Sequence, residues 1–275
     1  MVVQHNLQAA NTNRQLGITT SAQAKSTEKL SSGYKINRAA DDAAGLSISE
    51  KMRSQIRGLN KASSNAQDGV SLVQTAEGAL NETHSILQRM NELATQAANG
   101  TNTSVDRSAI RAELDQLTSE INRIQSTTQF NTMNLLDGTF SGKTKQMKLQ
   151  VGALSGQSIN FSIANMCATK IGLKTALSVS TFSKAGSYMK AVQDAIEVVS
   201  KQRSAMGAIQ NRLEHTIANL DTTSENTQSA ESRIRDTDMA SEMVTYSKNN
   251  ILAQAGQSML AQANQSTQGV LSLLQ

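Results

Sequence analysis

Histidine and cysteine supply many of the metal ligands and nucleophiles of proteins, and this sequence holds three histidines and one cysteine. His5, His84 and His215 are far apart in sequence, and none stands in an H-E-x-x-H motif, which places two zinc ligands on one helix face. Cys167 has no second cysteine with which to form an intramolecular disulfide, and we interpret it as a small apolar side chain. These residues therefore predict no metal site and no nucleophilic centre.

The one pair of adjacent acidic residues is Asp41 and Asp42. Two carboxylates can act as general acid and base, but only in a pocket that also holds a substrate. We interpret the pair as charge in the turn before a helix, where acids interact favourably with the positive end of the helix dipole. The sequence also lacks the G-x-x-x-x-G-K-[ST], G-x-G-x-x-G and G-x-S-x-G motifs, so we expect a protein that is not an enzyme and needs no cofactor.

The composition favours thin seams between helices over a thick globular core. Hydrophobic residues make up 38% of the 275 residues and aromatic residues only 3%, while small and polar residues take their place. Small side chains bury little apolar area but let helices approach closely, and the absence of proline suits long helices. The net charge of +4 comes from interspersed charges, and no apolar run reaches the ~20 residues of a membrane span. We therefore expect neither nucleic-acid binding nor membrane insertion.

Three segments carry the apolar spacing of three, four or seven residues that is typical of a coiled-coil seam. The first consists of Met52, Ile56, Leu59, Ala66, Val70, Val73, Leu80 and Leu87. The second consists of Ile110, Leu114, Leu117, Ile121 and Ile124. The third consists of Met189, Val192, Ile196, Val199, Met206, Leu213, Ile217 and Leu220. One long, one medium and a second long helix of this kind can pack as an antiparallel bundle.

Turn signals separate these helices and mark a small β region. Asn99 and Gly100 predict the end of the first helix, and Ser104 is the candidate N-cap of the second. Apolar and polar residues alternate at 145–151 and again at 158–163. This alternation on both sides of a short loop predicts a β-hairpin.

Both ends of the chain carry an apolar stripe that is too thin to bury much area. Residues 1–35 hold Val3, Leu7, Ala10, Ile18, Ala24 and Leu30 in a polar background. Residues 243–275 hold Met243, Ile251, Leu252, Met259, Leu260, Val270, Leu271, Leu273 and Leu274. Ordering the backbone costs roughly 1–2 kcal/mol per residue, so we expect both ends to be largely disordered in the free chain and helical when packed against other copies.

Several longer strings are similar to the terminal regions of bacterial flagellins. Residues 30–49 and 88–101 closely resemble the N-terminal region of that family. Residues 230–243 and 251–264 resemble its C-terminal region, and the QFN triplet at 129–131 resembles the family's turn after its second helix. By these strings the chain is identified as a member of the flagellin family.

The resemblance covers residues 1–165 and 185–275 and implies a mainly α fold. The expected fold is a long antiparallel helical rod, built from a terminal coiled coil and a helical bundle, with a small β-hairpin region. Residues 1–40 and 241–275 are expected to pair as the two halves of an inner coiled-coil domain that lines a hollow filament. Residues 41–240 are expected to form the rod domain, with the hairpin at about 145–163. The middle of the chain is too short for the variable outer domains of larger flagellins.

The resemblance also implies the function and the partners. We expect a structural subunit that polymerises with copies of itself into the bacterial flagellar filament, for swimming motility. The expected further partners are the flagellar export chaperone, the filament cap and the hook-junction proteins. Export in this family runs through the flagellar type III apparatus. We therefore expect an extracellular protein without a cleaved signal peptide, and residues 1–7 carry no basic or apolar leader.

Two groups of site residues follow from the resemblance. The host Toll-like receptor 5 recognises an arginine and a leucine in the first rod helix of many flagellins and a glutamate in the second. The matching positions here are Arg89, Leu93 and Glu113, although exposed Arg and Glu are common on any solvated rod and Leu93 fits a core position equally well. Chaperone and inner-core contacts are expected at the C-terminal stripe of Ile251, Leu252, Met259, Leu260, Val270, Leu271 and Leu274.

Two other classes of protein share part of this pattern. A hook–filament junction protein has the same two-ended layout, but the strings at 88–101 and 251–264 match flagellin better. A cytoplasmic coiled-coil adaptor fits the heptads alone, but it does not explain a thin seam at both ends of the chain.

Overall fold

The computed structural model describes residues 6–142, 145–173 and 179–272, with side chains described up to residue 266. Val3, Leu273 and Leu274, together with the side chains of Val270 and Leu271, lie outside the described part. The helices are α1 Leu7–Ser32, α2 Ala43–Ala97, α3 Ser104–Thr127, α4 Phe182–Arg235 and α5 Met239–Ser272. The strands are β1 Gln129–Phe130, β2 Met133–Asn134, β3 Met147–Gln150 and β4 Ser158–Phe161. The predicted mainly α fold with a small β region is confirmed.

The chain forms two compact units, one made of residues 55–225 and the other of residues 1–54 together with 226–275. The predicted domain limits near residues 40 and 240 concern the layers of a filament, and they stay a prediction.

The hydrophobic core of the unit at 55–225 is built from the predicted seams of α2, α3 and α4. Fully buried seam residues are Val73, Leu80, Leu87, Ile121, Val192 and Leu213. Leu117, Met189 and Ile196 are half-buried and pack against the same core. The heptad pattern therefore placed the core face of all three helices correctly.

The start of α3 lies one residue from its predicted position. The N-cap is Thr103 rather than Ser104, since the Asp106 amide donates a hydrogen bond to the Thr103 side chain. In return, the Thr103 amide donates to the Asp106 carboxylate over 2.9 Å. This reciprocal pair is a capping box, which satisfies backbone donors that the first turn of a helix leaves free.

The predicted hairpin is confirmed as β3 and β4, an antiparallel pair in which Met147 lies opposite Phe161 and Gln150 opposite Ser158. A second, shorter hairpin pairs β1 with β2. Its two loop residues, Asn131 and Thr132, both have positive φ angles, 48° and 64°. Such a loop matches the right-handed twist of the strands it joins.

An irregular segment after β4 also contributes to the core. Its buried residues are Ile163, Met166, Ala168, Ile171, Leu173 and Val179. Three of their amides donate to residues outside the segment: Ile163 to the Phe140 carbonyl over 3.1 Å, Met166 to the Leu136 carbonyl over 3.0 Å, and Ala168 to the Asn122 side chain over 3.0 Å. The apolar bulk that the helices lack is thus partly supplied by residues outside regular secondary structure.

Candidate assembly surface

The adjacent carboxylates of Asp41 and Asp42 have structural partners. The Asp41 carboxylate lies 2.9 Å from the Lys25 ammonium and accepts the Arg38 amide over 3.1 Å. The hydrogen bond from Lys25 and the bond from the Arg38 amide hold the pKa of Asp41 below its usual range. Asp42 accepts the Gly45 amide over 2.9 Å at the start of α2, which confirms the prediction of charge before a helix.

The histidines and the cysteine do not form a common site in the described part of the chain. His84 lies in α2, where a ring nitrogen is 3.0 Å from the Gln88 amide nitrogen, and His215 lies in α4. Cys167 is half-buried, with its Sγ atom 3.1 Å from the Thr169 hydroxyl. Among the described residues, there is no group of three or more His, Cys, Asp or Glu side chains that could hold a metal ion. His5 lies outside the described residues.

The two terminal helices, α1 and α5, lie side by side and antiparallel. Near one end, the Asn6 side chain donates a hydrogen bond to the Ala263 carbonyl over 3.1 Å. Near the other end, the Lys29 ammonium is 3.5 Å from the Glu242 carboxylate. The pairing of the chain ends that the flagellin resemblance implied is therefore present within one subunit.

The faces by which α1 and α5 meet contain positions that alternate in spacing between three and four residues. On α1, these positions are Ala9, Thr12, Leu16, Thr19, Gln23, Ser26 and Leu30, and Glu28 and Lys29 are also half-buried. On α5, they are Glu242, Tyr246, Asn249, Ala253, Gly256, Leu260 and Ala263, and Asn250 is also half-buried. This is coiled-coil spacing, but most of the side chains in it are small or polar.

Large apolar side chains lie instead on the outside of this helix pair. We define the outer apolar surface as Leu7 and Ile18 of α1 with Val244, Ile251, Leu252 and Met259 of α5, which are 47–71% exposed. Val244 and Ile251 are seven residues apart, as are Leu252 and Met259, so each pair occupies one stripe of α5. Exposed large apolar side chains that recur along one helix make this surface a candidate interaction site.

The predicted apolar stripe of α1 lies mostly on the exposed side of the helix. Leu7, Ala10, Ile18 and Ala24 are all exposed. The stripe was expected to pack against other copies, and within one chain these four residues are uncovered. The face toward α5 is carried mainly by Thr12, Thr19, Gln23 and Ser26, and among the described residues of the stripe only Leu30 lies on that face.

The connection between α1 and α2 is fixed against the connection between α4 and α5. The Arg235 guanidinium stacks over the Tyr34 ring, 4.5 Å from its centroid, in a cation–π contact. The Thr237 amide donates to the Gly33 carbonyl over 3.0 Å. Gly33 itself ends α1 with a φ of 76°, a conformation that glycine adopts without strain. These contacts set the direction in which both terminal helices leave their connections.

The predicted receptor residues Arg89 and Glu113 form one exposed pair. Arg89 Nη2 and Nε donate to Glu113 Oε1 over 3.0 and 3.2 Å, and this pair joins α2 to α3. Arg89 also lies 3.3 Å from Glu92. Leu93 is only 2% exposed and belongs to the core, so its side chain is not part of the subunit surface.

The structure also separates the predicted C-terminal residues into two groups. Ile251, Leu252 and Met259 are exposed, whereas Leu260 is half-buried at the face toward α1. Sequence reasoning named the apolar stripe of α5 but missed the two polar inner faces. The signal that could have revealed them was the three–four spacing of small and polar residues, such as Thr19, Gln23 and Ser26.

None of the helices in the described part of the chain is long and apolar enough to cross a membrane.

Comparisons with known proteins agree with this geometry. The chain matches the family described as the bacterial flagellin N-terminal helical region over residues 3–141, and the bacterial flagellin C-terminal helical region over residues 189–274. It is 54% identical over 275 residues to a flagellin of Halalkalibacterium halodurans, with all of both chains covered. It is 50% identical over 303 residues to a flagellin of Bacillus subtilis, again with all of both chains covered. The crystal structure of Bacillus cereus flagellin is similar over 57% of this chain and 88% of its own, with 32% identity and a TM-score of 0.51.

Proposed function

The chain belongs to the bacterial flagellin family and is a structural subunit of the extracellular flagellar filament, and we propose that its outer apolar surface joins it to neighbouring copies. It is a structural protein and not an enzyme, and it polymerises with itself. We propose two further points: the outer apolar surface makes the contact between copies, and the filament serves swimming motility.

The orientation of the apolar residues in α1 and α5 carries this proposal. A helix pair that is stable on its own turns its large apolar side chains inward, whereas this pair turns Ile18, Ile251 and Met259 outward. Burying one such side chain contributes about 1.5–3 kcal/mol. Several such side chains buried together in a filament offset the conformational entropy that is lost when helices with a largely polar seam become ordered. The terminal helices thus gain their main stabilisation from other subunits.

A seeded assembly experiment tests the proposal. The double variant Ile251→Lys with Met259→Lys places two charges on the outer apolar surface, and it should fail to extend filament seeds. The matched control, Gln257→Lys with Gln262→Lys, adds the same two charges to the same helix at exposed polar positions. It should still form long filaments under the electron microscope. Equal elongation by both variants would show that subunits join through another surface.

We further propose that Toll-like receptor 5 binds the subunit at Arg89 and Glu113, and that the buried Leu93 keeps this part of α2 in position. Two observations favour this second role: the match of residues 88–101 to flagellins, and the exposure of a charged pair that bridges α2 and α3. A planar guanidinium held over a carboxylate is pre-organised, so a partner gains its hydrogen bonds without ordering a free side chain. Leu93, being buried, would act by holding α2 in place.

The exposed residues of α5 are also the proposed site of the export chaperone. Ile251, Leu252 and Met259 present spacings of seven and eight residues along one helix, as an amphipathic segment in a groove requires. Of the other residues of the predicted stripe, Leu260 is half-buried toward α1, and Val270, Leu271 and Leu274 lie outside the described side chains. Export through the type III apparatus and contacts with the cap and hook-junction proteins are part of the same proposal, and family membership supports them.

A further inference from the structure

We propose that Asn99 is a site of spontaneous covalent modification, at which deamidation converts the side-chain amide to a carboxylate in the assembled or free subunit. Asn99 and Gly100 are the one Asn-Gly pair in the 275 residues. Asparagine is a chemically labile residue, and the amide nitrogen of the following residue is the group that attacks it. A following glycine has no Cβ to shield that nitrogen.

The turn between α2 and α3 exposes the reacting atoms. α2 ends at Ala97 and α3 begins at Ser104, so neither residue of the pair is held in a helix. Both residues are exposed, and a Cβ built on Gly100 would meet no atom within 4 Å. Within the described residues, the Gly100 amide donates no hydrogen bond, which leaves it accessible to water and hydroxide. The Gly100 amide must lose its proton before its nitrogen can attack, and access to hydroxide makes that loss easier.

The side chain of Asn99 is only loosely restrained. Its Oδ1 atom accepts the Thr101 amide over 3.4 Å, which is longer than the usual range for an N–H···O hydrogen bond. The main chain around it is held more firmly, because the Asn99 amide donates to the Gln96 carbonyl over 3.0 Å. Arg107 adds two bonds, from Nε to the Ala97 carbonyl over 3.2 Å and from Nη2 to the Asn99 carbonyl over 3.3 Å. An exposed side chain with one long hydrogen bond, on a turn held in this way, can reach the Gly100 nitrogen without unfolding of the unit.

The reaction needs only water. The Gly100 nitrogen gives up its proton and bonds to Cγ of Asn99, the bond from Cγ to Nδ2 breaks, and the side-chain nitrogen leaves as ammonia after taking up a proton. Water then opens the resulting five-membered imide at either carbonyl. One opening gives aspartate, and the other gives isoaspartate, in which the main chain runs through the former side chain. In sum, an amide and water become a carboxylic acid and ammonia.

Both products, aspartate and isoaspartate, alter the contact with Arg107. The new carboxylate adds a negative charge at the C-terminal end of α2, next to the guanidinium that clamps this turn. Isoaspartate also inserts a methylene group into the main chain and converts the carbonyl that Arg107 contacts into the free carboxylate. Subunits that have resided longest in a filament would therefore carry an altered α2–α3 turn.

The test is incubation of the purified full-length protein, followed by peptide mapping in a mass spectrometer. Asn99 should gain the mass of an amide-to-acid exchange several-fold faster than Asn102, its neighbour in the same turn, which precedes threonine. The rate should rise with pH, because the attacking nitrogen must lose a proton, and a methyltransferase specific for isoaspartate should label the product.

The variant Gly100→Ala supplies the matched control. Alanine fits there, since the Gly100 φ lies outside the left-handed region and the space around the added methyl group is open. Its melting temperature should match the wild type, while conversion at Asn99 slows several-fold. Equal rates at Asn99 and Asn102, or no effect of Gly100→Ala on a reaction that does occur, would overturn the proposal.

Discussion

Leu16 of α1 lies directly over Gly256 of α5, and a Cβ added to Gly256 would stand 3.3 Å from the Leu16 Cδ1 atom. Carbon atoms in favourable contact are about 3.5–4.0 Å apart, so glycine permits an approach that larger residues would prevent. The inner faces of this helix pair hold little apolar bulk, and at this position the Leu16 side chain packs against the space that the missing Cβ of Gly256 leaves open. Position 256 therefore tests the pairing of α1 and α5 without touching the outer apolar surface.

The variant Gly256→Val should loosen α5 from α1. Overpacking of this kind costs about 1–3 kcal/mol, and it should appear as faster amide hydrogen exchange in both helices. The matched control is Gly17→Val in α1, where an added Cβ would meet no atom within 4 Å. This variant has the same change of helix propensity but no crowding at the interface. The amides of α5 should therefore stay protected from hydrogen exchange. Equal loss of protection in the two variants would rule out close packing at Gly256 as the cause.

The bundle of α2, α3 and α4 was predictable because its apolar residues are buried by partners in the same chain. Leu80, Leu87 and Leu213 stand in heptad register, and each is fully buried. In α1, by contrast, Leu7 and Ile18 are exposed in the single chain, although they belong to the predicted apolar stripe. Apolar periodicity identifies a face that needs covering, but it does not say whether the cover comes from the same chain or from another copy.

Other elements could not be predicted because their apolar residues do not recur at a regular spacing. Strands β1 and β2 are two residues long, too short for an alternating pattern, and the buried residues from Ile163 to Val179 follow no helix or strand. The exposed pair of Arg89 and Glu113 was placed correctly on two helices by family resemblance alone. Their 3.0 Å contact depends on the register of α2 against α3, which spacing within one helix does not define.

The loop of the β1–β2 hairpin predicts a stabilising substitution. Thr132 has a φ of 64°, and for a residue with a Cβ that left-handed conformation costs roughly 1–2 kcal/mol. Thr132→Gly removes this cost but increases the freedom of the unfolded chain, so the net gain should be at most about 1 kcal/mol. Thermal unfolding of the full chain measures it. Asn131→Gly is the comparison, and it should gain less because asparagine tolerates positive φ better. A lower melting temperature for Thr132→Gly would contradict the argument.

The pair of Lys25 and Asp41 predicts a pH dependence of stability in the unit of residues 1–54 and 226–275. Hydrogen bonds from Lys25 and the Arg38 amide hold the folded-state pKa of Asp41 below its usual 3.8. The pair therefore contributes fully at pH values well above 3.8 and loses its contribution as the pH falls through the lower folded-state value. Asp41→Asn should melt earlier at neutral pH and lose less stability on acidification than the wild type. Glu50→Gln, which removes a carboxylate that has no ion pair among the described residues, should follow the wild-type profile.

The exposed contact between Arg89 and Glu113 predicts a change in receptor binding without a change in folding. Reversing a charge against a complementary partner can cost about 2–5 kcal/mol, so Arg89→Asp should weaken direct binding to the Toll-like receptor 5 ectodomain more than tenfold. Because the pair is exposed and screened by solvent, the variant should melt at nearly the same temperature as the wild type. Arg123→Asp is the matched control, an exposed arginine paired with Glu120 over 2.6 Å in α3, and it should bind normally. Unchanged affinity of Arg89→Asp would place the receptor contact elsewhere.

The last prediction concerns the state of α5 before assembly. The outer apolar surface joins subunits under the proposed function, so a free pool of chains would polymerise early unless another protein covered it. An amphipathic helix with Ile251 and Leu252 exposed fits a hydrophobic groove. A chaperone that covers these two residues would block the surface by which free chains assemble. Isothermal titration of the monomer with its cognate chaperone should show a large loss of affinity for Ile251→Lys with Leu252→Lys. Gln257→Lys with Gln262→Lys, the same charge added at polar positions of α5, should bind as the wild type does. If both double variants bind equally well, the chaperone recognises another part of the chain, and the exposed residues of α5 serve the filament alone.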